Sequence, residues 1–169
     1  MHPRAHSRLA ALAIAVAALA GVPASAQATT WPVPSGFAMR DGNLTSSELE
    51  NALMVEINRA RGDAGLRKIW NVDSCTDDLA ERWGDRIART GVLEHRDQHE
   101  VIRRCDNAWA GETLVRGTGL TPAAMVELWL DSPAHREILL NPRARRAGVA
   151  ITEDRQGRRI GVLDLVRRN

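Results

Sequence analysis

Beyond residue 26 the chain carries three histidines, His95, His99 and His135, the side chains best suited to proton transfer or metal binding near neutral pH. His95 and His99 are four residues apart, a spacing that stacks two imidazoles on one face of a helix. Gly91 just before them is a helix stop signal, however, so the spacing alone does not make a metal pair. Glu112 stands beside Gly111 among Trp109, Ala110, Leu114 and Val115. On an apolar strand its carboxylate either faces water or needs a partner, because burying it unpaired is costly. Ser132 lies three residues before His135, but Ser132-Pro133 reads as a helix cap rather than a nucleophile. The sequence has no Gly-x-Ser-x-Gly elbow, phosphate loop, His-Glu-x-x-His or four-cysteine zinc pattern. A serine hydrolase has little support.

Several helices and a few strands must position these groups. Thr45-Ser46-Ser47-Glu48 is a capping-box pattern, and Leu49, Leu53, Ile57 and Ala60 then fall on one helical face until Gly62 and Gly65. A second helix is expected from Thr76, with Leu79, Trp83 and Ile87 buried and Thr90-Gly91 ending it. Thr121-Pro122 and Ser132-Pro133 each place proline at a first helical position, opening a helix with Met125, Val126 and Trp129 and a short one that stops before Asn141-Pro142. Ala108 to Val115, Ala147 to Thr152 and Arg159 to Val166 read as strands, the last two as a hairpin. This order predicts an α+β fold with helices packed around a small antiparallel sheet. Trp70, Trp83, Trp109 and Trp129 are expected to supply much of the core's aromatic packing.

The remaining features concern export. Arg4 and Arg8, an apolar stretch from Leu9 to Val22 and Ala24-Ser25-Ala26 make residues 1–26 a secretory signal. Fourteen helical residues rise about 21 Å, short of the roughly 30 Å of a bilayer core. Residues 27–44, with Pro32, Pro34, Gly36 and Gly42, read as a linker, which leaves residues 45–169 as the domain. The 169 residues carry 23 basic and 21 acidic side chains, a formal charge of +2, and without Arg4 and Arg8 the chain is formally neutral. That balance gives no support to a nucleic-acid partner. Arginines do gather from Arg143 onward, either as a mildly basic face for an anionic envelope or as ordinary solvated surface. Cys75 and Cys105 are the only cysteines; in an exported chain a bridge is expected, with free thiols as the other reading.

Leu93-Glu94-His95, Ala110-Gly111-Glu112-Thr113, Trp129 to Arg136, Leu140-Asn141-Pro142 and Ala147-Gly148-Val149-Ala150 occur in that order. Together they resemble the CAP superfamily, or SCP domain, which includes cysteine-rich secretory proteins, antigen-five allergens and plant pathogenesis-related proteins; the bacterial secreted branch is the nearest. The resemblance spans about Leu49 to Val166 and implies an α-β-α sandwich whose cleft carries two histidines and two acids. It assigns the histidines to His95 and His135 and the first acid to Glu112. The second acid does not carry over: Ser132 stands three residues after Trp129, and neither Asp131 nor Glu127 matches. The triplet Gly-Glu-Asn of the family is Gly111-Glu112-Thr113 here.

The resemblance implies a secreted binding module for a small hydrophobic, lipid-like or cell-envelope ligand, or a protein partner, without turnover. The alternative is an extracellular hydrolase using His95, Glu112 and His135, in which His95 and His135 could hold a divalent metal such as zinc.

Overall fold

The structure, a computed structural model, describes residues 44–169. The expected signal segment, and all of the expected linker except Leu44, lie outside the described residues. Five helices and three strands follow one another: α1 (Ser46–Asp63), α2 (Ser74–Thr90), α3 (Gln98–Arg104), β1 (Asn107–Thr118), α4 (Pro122–Asp131), α5 (Pro133–Leu139), β2 (Arg146–Glu153) and β3 (Arg158–Arg168). The strands form one antiparallel sheet in the order β1-β3-β2, with β3 in the centre.

Alternation along the strands builds a core on each face of the sheet. Val115, Val149, Ile151, Leu163 and Leu165 face one way, onto Leu49, Leu53 and Ile57 of α1 and Met125, Val126 and Trp129 of α4, with Leu139 of α5. Leu114, Ala150, Ile160 and Val162 face the other way, onto Ala80 and Ile87 of α2, while Val166 packs with Leu79, Cys105 and Val101 of α3. The result is the expected α+β sandwich, helices on both sides of a small antiparallel sheet.

The helix ends show why these segments fold locally. Thr45 and Glu48 form the expected reciprocal capping box. Thr121 caps α4 through the Ala124 N–H, and Gly91 closes α2 in the left-handed region at φ +72°. Three expectations change. Helix α2 begins at Ser74 rather than Thr76, because the Asp73 carboxylate caps it by accepting from the Thr76 N–H and hydroxyl. Ser132 holds the N-cap position of α5 but its side chain makes no capping bond. Trp70 is 72% exposed rather than in the core. Its neighbour Ile69 takes the inward place, clamped by both atoms of the Asn58 amide at 2.6 and 2.8 Å, which turns Trp70 outward. Helix α3 was not expected; seven residues with one buried apolar side chain, Val101, are too few to show a helical period.

An open three-stranded sheet has two edges, and the β2 edge is closed. Asp77 of α2 accepts the Val149 N–H at 2.8 Å and Glu50 of α1 accepts the Ile151 N–H at 2.9 Å, one carboxylate from each helical layer. Val72 adds a parallel bridge to Ala147. These contacts occupy donors that would otherwise invite another strand. They need α2 very close to β2, and Gly148 permits it: a Cβ there would sit 2.5 Å from the Thr76 carbonyl and 2.6 Å from the Asp77 nitrogen.

A Cys75–Cys105 disulfide joins the first turn of α2 to the C-terminal end of α3, with Cα atoms 5.6 Å apart. Removing it by Cys75→Ala should lower unfolding free energy by about 2–5 kcal/mol, and two alkylatable thiols in the native protein would exclude the bridge. Gly148→Ala should cost about 1–3 kcal/mol, since backbone rather than a flexible side chain blocks the new methyl. Denaturant midpoints matching the parent would show that α2 moves away freely.

Candidate cleft at the β1 edge

Strand β1 pairs on one side only, with β3, and its other edge faces a cavity of about 370 Å³ between α3 and α5. Glu112 is the organising residue. Its side chain is 1% exposed, and its Oε1 accepts from the Arg96 backbone N–H at 3.0 Å and lies 2.7 Å from Nδ1 of His95. The carboxylate on an apolar strand is thus buried with partners, and in acquiring them it fixes the loop between α2 and α3 against β1.

That loop is held from its other side by Trp83 of α2. The indole N–H donates to the Glu94 carbonyl at 3.0 Å, and two guanidinium groups lie over the ring, Arg86 at 4.7 Å and Arg96 at 5.0 Å. Arg96 also reaches back to the Leu79 carbonyl. His95 consequently sits in a pinned loop and not on a helix, whereas His99 lies in the first turn of α3. The four-residue spacing therefore makes no helical pair, and His99 does not line the cavity.

His135 arrives from α5, on the opposite face of the sheet, and its ring centre is 5.8 Å from that of His95. Helix α5 is anchored at its end by Arg61 of α1, a fully buried guanidinium that donates to the Leu139 and Asn141 carbonyls at 2.7 and 3.1 Å. Gly111 keeps α5 close: a Cβ there would meet Ile138 at 3.0 Å and the Trp109 ring at 3.1 Å. Burial, with the neighbouring charge of His95 second, holds the His135 pKa below the ordinary histidine value, so its imidazole is neutral at neutral pH. The remaining wall is apolar, from Trp109, Ala134 and Ile138, with Gln98, Glu137 and Asn141 at its margins.

Beneath Glu112 lies an acid that the sequence did not single out. Asp164 of β3 is directly opposite Glu112 in the β1–β3 register, so both carboxyl groups project toward the α2 and α3 layer. Asp164 is fully buried and accepts from the Gln98 amide at 3.3 Å. Burial first, and the charge of Glu112 second, push its pKa up to about 7. Burial also raises Glu112 to about 7, against the lowering effect of the Arg96 N–H and guanidinium. Asp131 and Glu127, the acids nearest to the expected position on α4, are exposed and line no part of this cavity. Only the cross-strand register could have revealed Asp164.

An α-β-α sandwich with two histidines and a buried carboxylate converging at one sheet edge defines a class, and the sequence agrees with it. Residues 55–165 match the CAP model, the cysteine-rich secretory protein family, and the chain belongs to that family. No curated protein matches it. Among solved structures it is similar to an outer surface protein of Borrelia burgdorferi, at 20% identity and a TM-score of 0.67 over 75% of this chain and 97% of that one. It is also similar to an extracellular SCP-domain protein of Bacillus anthracis, at 22% identity and TM-score 0.60, covering 75% of this chain and 45% of that one. A cysteine-rich secretory protein of Staphylococcus aureus gives 17% identity and TM-score 0.58, covering 73% and 40%. The chain thus spans less than half of the Bacillus and Staphylococcus proteins, and at these identities the likeness is one of fold.

The carboxyl pair gives a stability test. An unfolded aspartate binds its proton only below about pH 4, whereas Asp164 in the fold keeps it to about 7. Between those values the folded state holds the extra proton, so stability falls as pH rises through the window. Asp164→Asn abolishes that titration and should gain on the parent from pH 4.5 to pH 8, by on the order of 2–4 kcal/mol. Urea midpoints at the two pH values read the effect, and an unchanged gap between variant and parent would refute it.

Proposed function

We propose that this protein is an exported, non-catalytic binding module whose β1-edge cleft takes a small lipid-like or cell-envelope molecule with an apolar body and a polar head. The division of the cleft carries the reading: Trp109, Ala134 and Ile138 face the polar corner of His95, Glu112 and His135. Its volume of about 370 Å³ falls in the range of small-molecule sites. No serine, threonine or cysteine lines it among the described residues, which favours binding over a hydrolase with a side-chain nucleophile. Export is supported by the signal-like residues 1–26, by the disulfide, and by relatives described as extracellular or outer surface proteins. Residues 1–26 would then be removed, the linker begin at Gln27 and the domain occupy residues 45–169.

A second reading has its own observation. When Glu112 accepts from Nδ1–H of His95, the other ring nitrogen, Nε2, is left to act as a metal ligand with its orientation fixed by a carboxylate. Neutral His135 supplies a second nitrogen, and ring centres 5.8 Å apart suit two imidazoles sharing one zinc ion, which lie about 5–6 Å apart at ordinary Zn–N distances. The cleft thus offers two protein nitrogens. No group of three or more His, Cys, Asp or Glu side chains gathers there among the described residues, so a zinc ion would need its remaining ligands from water or a bound molecule. A bound zinc ion would supply a Lewis acid in the cleft, the chemistry that a hydrolase would need.

Native mass spectrometry of protein recovered from its own culture medium separates these readings. A retained organic mass of lipid-like character supports the binding module; zinc retained alone supports the metal reading; recovery only from the cytoplasm removes the proposal of export. In either case His135→Ala should abolish most of the binding and His99→Ala should leave it unchanged, and equal behaviour of the two variants would overturn the cleft assignment. Zinc affinity, where present, should fall as pH drops and the imidazoles protonate.

A further inference from the structure

The side chain most out of place in this molecule is Trp70. It lies in the connection between α1 and α2, and that connection is not loose. Ile69 is fixed to Asn58, the Asp73 N–H donates to the Ala147 carbonyl at 2.8 Å, and the Ala147 N–H donates to the Asn71 carbonyl at 3.1 Å. A rigid backbone thus holds a large indole in solvent. It does so beside β2, at the edge of the sheet opposite the β1 cleft.

The surroundings of Trp70 are divided. On one side lie Val55 and Val72, 59% and 50% exposed, above Met54 and Ile69. On the other, a depression is lined by Arg67, Lys68, Asn71, Arg145 and Arg146, with no carboxylate among its lining residues. Lys68 reaches within 5.8 Å of the indole centre. Among the described residues Arg67, Lys68 and Arg145 pair with no acid, and Arg146 shares buried Asp73 with Arg168. Asp63, exposed, lines a shallow depression with Lys68 and Trp70 without pairing with Lys68, and Glu56 pairs with Arg59.

From this combination we infer that the Trp70 face is a second docking surface, independent of the cleft, that seats the protein on a membrane with anionic headgroups. Tryptophan settles at the headgroup level, where its ring is in apolar surroundings and its N–H is wet. Val55 and Val72 beside it enter the acyl boundary, and the cations meet phosphates. The charge selects the occupant: uncompensated cations around an apolar ridge complement an anionic amphipathic surface. A sugar platform would instead ring its aromatic with hydrogen-bonding side chains, whereas Trp70 has valines on one flank. Each cation near such a surface strengthens binding about five-fold at moderate salt, and screening weakens it as salt rises. The arginines gathered from Arg143 onward thus contribute Arg145 and Arg146 to one place.

Vesicle co-sedimentation tests this with the full chain, every variant carrying the same N-terminal segment, so that only differences between variants are read. On phosphatidylglycerol–phosphatidylcholine vesicles, Trp70→Ser should weaken binding at least ten-fold and Trp70→Phe should restore most of it. Arg67→Gln with Lys68→Gln should lose about 25-fold and flatten the salt dependence. On phosphatidylcholine alone the double variant should match the parent. His99→Ala, exposed on α3 and outside both the cleft and the Trp70 face, should bind anionic vesicles as the parent does. Trp70→Ser and the double variant binding like the parent would overturn the proposal. So would loss of retention on an immobilised acidic polysaccharide, or of a dimer in sedimentation, in Trp70→Ser with vesicle binding unchanged; those outcomes assign the face to a glycan or to a second copy.

Discussion

The cleft depends on one constraint: a carboxylate placed on an apolar strand must be given partners. Glu112 stands between Gly111 and Thr113 in a strand whose neighbours fill two cores, and its ionised form in that position would be prohibitive without hydrogen bonds. The chain answers with a backbone N–H from Arg96 and a ring nitrogen from His95. Both come from a loop with no regular structure of its own, so the need of one side chain determines where seven loop residues lie. His95 is thereby placed by Glu112 as much as by its own sequence context.

The other members of the cleft are positioned by the layers, not by their neighbours in sequence. His135 is carried on a seven-residue helix, too short to be stable by itself. It is set by Pro133 at its start and by Arg61 beneath its end. Arg61 is an uncommon anchor: a buried cation whose Nε and one terminal nitrogen donate to carbonyl oxygens, joining the end of α1 to the end of α5 and to the Arg67 carbonyl. The disulfide and Trp83 do comparable work on the opposite layer, holding α3 and the His95 loop to α2. Two histidines on opposite sides of a sheet meet because each layer is pinned beside the same strand.

Much of this was legible in the sequence where the signal is local. The capping box at Thr45, the Ser-Pro and Thr-Pro helix starts, the glycine stop at Gly91 and the hairpin around Gly157 each depend on a few adjacent residues. His95, Glu112 and His135 were legible through family motifs. What was not legible depends on pairing at a distance. Asp164 lies in the continuously buried run from Ile160 to Val166, but only the register with β1 shows that it sits against Glu112. Trp70 misled because an indole usually repays burial; Asn58, twelve residues earlier, decides its orientation by gripping Ile69 instead. Helix α3 escaped because it is a link held by Asp97 at one end and a disulfide at the other, with little pattern of its own.

The two edges of the sheet explain why the cleft lies where it does. At the β2 edge, Asp77, Glu50 and the Val72 bridge satisfy backbone groups of the strand. At the β1 edge the helical layers stand apart enough to leave a cavity, and the side chains that reach it, rather than another strand, fill the margin. An open edge is ordinarily a liability for aggregation. Here the edge is made inhospitable to a further strand by a buried acid, two imidazoles and a tryptophan, and the same features make it suitable for a small molecule. Gly111 serves both ends, since the absence of a side chain lets Ile138 and Trp109 close over the strand. The cleft is therefore what a three-stranded sandwich becomes when only one of its edges has its backbone donors taken up, here by two carboxylates and one bridge.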